Sequence, residues 1–263
     1  MLNRIKAVIL AILIVIGVCA VFAGCNDGAT EPTSATQTTT APAEEPVASP
    51  DETGAVIDQI VGFTANSSVE GVTLPYEVKG VSVVALGAYT GAYFEEISDE
   101  PVENVMALVV INTSQKAVQV ANVKVKATDG ELYNFSISTL PKGTSVLVLE
   151  ADKKEYNPDM KIDSITADVT ESDGFSTSVE DISIFYDDAK LNLINQSDKS
   201  YHAVYVRYKN FGKGNVFMGG ITYSANFESV EAGGSYEYEP GHYSPETSYI
   251  LIVQPVEKMT ASD

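Results

Sequence analysis

The sequence predicts an all-β protein: two small antiparallel β-sandwich modules in tandem, following a signal peptide and a disordered linker. Three observations lead there. From Ala55 onward, apolar residues recur with period two in short runs rich in Val, Ile, Tyr and Thr, bounded by turn residues. No window carries an apolar stripe of helical period over about twelve residues. VINTSQKAVQVANVKVK, starting at Val110, matches LINQSDKSYHAVYVRYK, starting at Leu193, at a constant offset and without gaps. A repeated β unit of roughly 80–100 residues fits one small sandwich per copy. A single larger sandwich with internal pseudo-symmetry is the alternative.

Residues 1–24 come first. Arg4 and Lys6 precede an uninterrupted apolar run from Ala7 to Gly24, which ends in Phe22-Ala23-Gly24-Cys25. A basic start, an apolar centre and small residues before the cut form a secretory signal pattern. Cysteine directly after Ala-Gly resembles the bacterial lipobox, which implies lipidation of Cys25 and anchoring of the chain on the extracellular face of the cell membrane. Cys19 does not compete, because Val18 before it is not small. The run also reaches the lower limit for a spanning helix, so an uncleaved anchor is the alternative.

Residues 25–54 read as a disordered tether. The stretch after Cys25 is rich in Thr, Ala, Pro, Ser and Glu, with Val47 its one large apolar residue. So little apolar surface does not repay the entropy of ordering the chain. Its expected rms span is roughly 30 Å.

The first module is expected over 55–187. Its strands are Gly80–Ala85, Val105–Ile111, Val118–Ala127, Glu131–Ile137, Ser145–Glu150, Ser164–Thr170 and Asp181–Tyr186. Asp129-Gly130 is a hairpin signal between two of them. Val105, Ala107 and Val109 share one strand face and Met106, Leu108 and Val110 the other, so both faces must be covered. One belongs to the sandwich core; the other is expected to pack on residues 72–94 or on the second copy. The second module is expected over 188–263, with strands Lys190–Ile194, Tyr201–Lys209, Ile221–Phe227, Ser235–Glu239 and Tyr249–Gln254. In each copy a strand ends in Asn, Asn112 or Asn195, whose side chain suits the following Ser-x-Lys turn. Leu140–Ser145 parallels Val230–Ser235.

Several segments resemble uncharacterised lipid-anchored surface proteins of Gram-positive, clostridia-like bacteria: Glu95-Glu96, Asp99-Glu100, Leu140-Pro141-Lys142-Gly143, Tyr208-Lys209-Asn210, Gly219–Tyr223 and Gly241-His242-Tyr243. The resemblance spans most of residues 90–255. It implies immunoglobulin-like modules and transfers no activity.

Charge and residue inventory narrow the function. Arg4 and Lys6 are the only charges in 1–24, so 16 Lys and Arg become 14 against 36 acids, a net charge of about −22 for the exported part. Such a surface repels nucleic acid. No cysteine follows Cys25, which leaves no disulfide, Cys-metal site or thiol nucleophile. His202 and His242 are the only histidines, so a three-His metal site and an HExxH helix are excluded. Acid pairs are abundant and two carboxylates suffice for many glycosidases, but the chain has no Trp to floor a sugar cleft. No cofactor is expected. Glu95, Glu96, Asp99 and Glu100 offer the oxygens for a weak Ca²⁺ site, without EF-hand spacing. Eight of the 14 tyrosines fall between Tyr201 and Tyr249. From these, Tyr236, Tyr238, Tyr243 and Tyr249, with His242, are expected as a recognition patch. The expected function is non-catalytic binding or accessory work at the cell envelope towards a protein or glycan. A structural spacer and a carboxylate-dependent hydrolase are the alternatives.

Overall fold

The computed structural model describes residues 57–66, 68–95 and 100–258. The signal segment, the tether and Cys25 lie outside them, as do Glu96 and Asp99. Among the described residues fifteen strands follow in order: β1 (Phe63–Ala65), β2 (Tyr76–Val78), β3 (Val81–Ala92), β4 (Pro101–Asn112), β5 (Ala117–Ala127), β6 (Leu132–Leu140), β7 (Ser145–Leu149), β8 (Ile162–Ser172), β9 (Ile182–Asp187), β10 (Lys190–Asn195), β11 (Tyr201–Asn210), β12 (Phe217–Met218), β13 (Tyr223–Val230), β14 (Ser235–Tyr238) and β15 (Ser248–Glu257). No described helix is long and apolar enough to cross a membrane.

The strands form several largely antiparallel sheets, as the period-two pattern predicts. One has the order β1-β3-β4-β7-β12, with β2 also on β3; the others are β6-β5-β8, β14-β10-β9 and β13-β11-β15. The repeat is visible in this order. The first copy pairs β3-β4-β7 and β6-β5-β8; the second pairs β9-β10-β14 and β13-β11-β15. The expected module boundary at 187/188 falls inside the β9–β10 hairpin, and Ile182, Ile184 and Tyr186 of β9 pack in the second core.

Each copy has a core between its two sheets. In the first, Val81, Val83, Leu86, Met106, Leu108 and Val110 meet Val123, Val125, Phe135, Ile137 and Ile165. In the second, Leu191 and Leu193 meet Val204, Val206, Ala225, Phe227 and Val253. Burial of one such side chain contributes roughly 1.5–3 kcal/mol. The other face of β4, through Val105, Ala107 and Val109, is covered by Ile57, Ile60 and Phe63, by Tyr93 and Phe94, and by Val216 and Met218 of the second copy. Both copies therefore share buried surface, and Leu251 and Phe217 of the second join the first core outright. β12 pairs in parallel with β7, extending the first copy's sheet with a strand from the second.

The two asparagine corners are near-duplicates. Asn112 and Asn195 are fully buried. The Asn112 amide donates to the carbonyls of Lys116 and Leu140 at 2.9 and 3.0 Å, and Asn195 to those of Lys199 and Glu231 at 2.7 and 2.9 Å. Their Oδ1 atoms accept from the amides of Ser114 and Ser197. Each Asn thus ties a strand end to a turn and to the crossover behind it, satisfying backbone groups that burial would otherwise strand.

All twelve strands read from the sequence are present. β1, β2 and β12, of two or three residues, are too short to show a period. β13 begins at Tyr223 rather than Ile221, because Ile221 and Thr222 are committed to a contact between the copies.

Candidate functional site

Where the copies meet, the segment Gly219–Thr222 of the second crosses β6 of the first. Only glycine fits its centre: a Cβ on Gly220 would lie 1.9 Å from the Ser136 carbonyl oxygen, and one on Gly219, at φ +85°, 2.7 Å from that of Phe94. The Gly220 carbonyl accepts from the Ser138 amide at 2.8 Å and from its hydroxyl at 3.0 Å, while the Thr222 hydroxyl donates to the Ser138 carbonyl at 3.1 Å. At this crossing two backbones lie in close contact, bonded directly and through the Ser138 and Thr222 hydroxyls.

A fully buried lysine and a half-buried glutamate lock the segment. The Lys209 ammonium donates to the carbonyls of Gly219, Gly220 and Ile221 at 3.1, 2.7 and 2.6 Å. Three acceptors match the three donors of a protonated amine. The Glu95 carboxylate, from the first copy, accepts from the amides of Leu149 at 3.0 Å, Gly220 at 2.8 Å and Ile221 at 3.2 Å. Burial pulls Lys209 below the ordinary lysine value, against the attraction of Glu95. Burial likewise pushes Glu95 up, against its backbone donors and Lys209. The lysine thus holds the carbonyls, and the glutamate the amides, of one tight crossing.

Above this lock lies a cleft of about 320 Å³, lined by Ala92, Tyr93 and Phe94 of the first copy and by Asn210, Tyr223 and Gly241–Ser244 of the second. Its wall is a stack of rings running outward from the core. Buried Tyr208 stacks on Tyr223 at 5.5 Å between centroids, and Tyr223 on His242 at 5.0 Å, both with planes 25° apart. Tyr243 meets Tyr208 edge-on at 5.0 Å and Tyr186 at 5.3 Å. Burial raises the Tyr208 and Tyr243 phenols above their ordinary value, which keeps both neutral. The loop bearing His242 is pinned by Asn210, whose amide donates to the His242 carbonyl at 3.0 Å and whose Oδ1 accepts from the Ser248 hydroxyl at 2.6 Å. Ser248 in turn accepts from the Ser244 amide at 2.9 Å.

The expected recognition patch is divided. His242 and Tyr243 line the cleft. The Tyr236 hydroxyl accepts from the Glu231 amide and donates to the Ser229 carbonyl, fixing a corner. Tyr238 packs on Phe227 at 6.0 Å, and Tyr249 packs half-buried against the first core. These three are partly buried and pack against the two cores. Tyr93, Phe94, Asn210 and Tyr223 are not among the site residues expected from the sequence, although Asn210 and Tyr223 fall in segments that carry the resemblance. Of the expected acidic loop, Glu95 turns inward and gives its oxygens to backbone amides, while Glu100 is exposed. Among the described residues no group of three or more His, Cys, Asp or Glu is placed to hold a metal ion.

The cleft offers aromatic side chains and a pinned loop, with no Lys or Arg among its described lining residues, although the Lys153 ammonium stands over the Tyr93 ring at 4.2 Å. That chemistry suits the capture of a neutral group with an apolar face. No family model, curated protein or solved structure matches this chain.

Proposed function

We propose that this chain is a cell-surface lipoprotein with a non-catalytic binding role at the envelope, its ligand a protein or glycan engaged in the cleft between the repeats. In this reading Cys25 carries the lipid on the extracellular face of the membrane and residues 25–54 form the tether. The two copies are tandem immunoglobulin-like modules, which their common strand order supports. The observation that carries the binding role is the aromatic cleft set on the Glu95–Lys209 lock: a site held in one shape before its ligand arrives loses little entropy on binding.

Two measurements test it. Metabolic labelling with a palmitate analogue is expected to mark the full chain and to be lost in Cys25→Ala; labelling that persists refutes the anchor. Envelope components retained by the wild-type full chain are expected to fall at least tenfold in His242→Ala/Tyr243→Ser. Unchanged retention refutes the cleft, and absence of any retained component favours a spacer.

A further inference from the structure

The two copies differ at one sheet edge. β3 pairs with β4 on one side and with β1 and β2 on the other, through Phe63↔Tyr89 and Tyr76↔Val83. β9 is its counterpart, paired with β10 as β3 is with β4. Among the described residues no strand covers the other side of β9. The segment before it bridges only Ile182, whose amide donates to the Val179 carbonyl at 3.1 Å, and otherwise turns away, its Ser176 carbonyl accepting from the Val253 amide at 2.8 Å.

The chemistry of that edge follows from its hairpin. Asp187 pairs with Lys190 across the two-residue turn Asp188-Ala189, whose φ values of 47° and 62° are both positive. In such a turn the closing pair exchanges its hydrogen bonds inward, and alternate residues turn their backbone groups outward. The outward groups are those of Ile184 and Tyr186. Their side chains lie in the second core, so the strand is anchored while its edge is open. Phe185 points to the opposite face and is 43% exposed. Edge strands are ordinarily blunted by Lys, Pro or a bulge, and Ile182–Asp187 has none of these. The strand is bracketed instead by exposed Glu180, Asp181, Asp187 and Asp188, none of them in a salt bridge among the described residues.

We propose that the outer edge of β9 is a docking site for an extended basic polypeptide segment, which adds as an antiparallel strand as β1 and β2 add to β3. The segment's backbone pairs with Ile184 and Tyr186, one of its apolar side chains covers Phe185, and its Lys or Arg residues meet the acids at either end. Charge selects this occupant over a second copy of the chain. Two edges so bracketed, on chains of formal charge −20, repel one another. The edge's backbone groups lie outside the lining of the aromatic cleft, although the Tyr186 ring touches cleft residue Tyr243, and the proposal does not rest on the cleft.

The test uses the full chain in detergent and three seven-residue probes. The first is Lys-Thr-Val-Thr-Val-Thr-Lys. The second replaces both Lys by Glu, and the third is the basic peptide N-methylated at alternate residues. Fluorescence anisotropy is expected to give saturable binding of the basic probe alone, weakened at least tenfold between 50 and 500 mM salt. Amide exchange at Ile184 and Tyr186 is expected to slow at least tenfold on saturation. Asp187→Asn/Asp188→Asn is expected to weaken binding several-fold, and Phe185→Lys to abolish it while leaving the melting temperature unchanged. Equal binding of the acidic or N-methylated probe overturns the proposal, as does protection confined to other strands. Sedimentation as a dimer with β9 amides already protected overturns it in favour of self-pairing.

Discussion

Lys209→Met tests the lock between the copies. Methionine matches the lysine stem in length and flexibility, so the substitution removes the charge and three donors while filling most of the space. Three carbonyls, of Gly219, Gly220 and Ile221, lose their side-chain donor, and the Glu95 carboxylate loses its opposing charge. Hydrogen bonds from a charged donor contribute about 1.5–3 kcal/mol each, and three that share one ammonium overlap, so their joint loss is expected to cost about 3–5 kcal/mol. A separate tally of three charged hydrogen bonds would exceed that, because each donor was itself desolvated and the terms overlap. At about 2–4 °C per kcal/mol for a unit of this size, the melting temperature is expected to fall by about 6–20 °C. The repeat supplies an internal control. Lys126 occupies the matching position of the first copy but is half-exposed and bridges Asp163 at 2.8 Å. Its substitution by Met is expected to cost about 0–1 kcal/mol. Calorimetry on both variants and on Lys209→Met/Glu95→Gln decides the matter: the double variant is expected to recover part of the loss. Equal melting of the Lys126 and Lys209 variants, or strictly additive losses in the double, refutes the lock.

Other expectations follow from the same geometry. Gly220→Ala must move a backbone carbonyl now 1.9 Å from the new Cβ; a loss of about 2 kcal/mol or more is expected in urea unfolding, against a few tenths for Gly143→Asn, where the surroundings are open. Asn112→Ala and Asn195→Ala each unpair two carbonyls in a buried corner and are expected to cost about 1–3 kcal/mol apiece, additive within about 0.5 kcal/mol, by the same assay. In a carboxyl ¹³C titration, Asp173 and Glu231 are expected below the usual carboxylate range, held down by hydrogen bonds from Lys116 and from Lys258. Their small stabilising contribution is present above the unfolded value and is lost as pH falls through the folded one. Glu95 is expected above the usual range because it is buried. Its sign is opposite: what it contributes is complete in acid and is lost as pH rises through its raised value.

The parts legible in the sequence are those whose cause is local. Val118–Ala127 alternates apolar and polar because β5 has one face on the core and one towards solvent, so period and strand coincide. Asn112 and Asn195 announce their corners because an Asn followed two residues later by Ser is itself the turn. The cleft is legible only at His242 and Tyr243, from a turn-dense loop. Its other wall comes from Tyr93 and Phe94, which lie in the first copy, far along the chain from Tyr223, and no local pattern links them. For Tyr236 and Tyr238, alternation on β14 says that they share a face, not which neighbours that face meets. Lys209 is the least legible of all. It is the repeat partner of exposed Lys126, so it reads as a surface lysine until the fold brings Glu95 and three carbonyls around it.

That difference at one repeated position marks where the two similar units meet. Where the copies retain the same surroundings, they retain the same chemistry, down to the two carbonyls held by each buried asparagine. Where the second copy meets the first, its β11–β13 connection runs through residues 211–222, in place of the tight turn at Asp129-Gly130 between β5 and β6. That connection supplies β12 to the first copy's sheet and Gly219-Gly220 to the crossing. An inserted backbone brings orphaned carbonyls and amides into a buried place, and burial without partners costs several kcal/mol. Lys209 meets the carbonyls and Glu95 the amides, so the two charges are what the insertion requires rather than an ion pair added for its own sake. With the connection fixed from beneath, Tyr223 at its end is held against Tyr208 and His242, and the cleft inherits its rigidity. The outer edge of β9 lies on the other side of the second copy's sheet order, where no insertion covers it, and it keeps the open backbone that β1 and β2 close in the first.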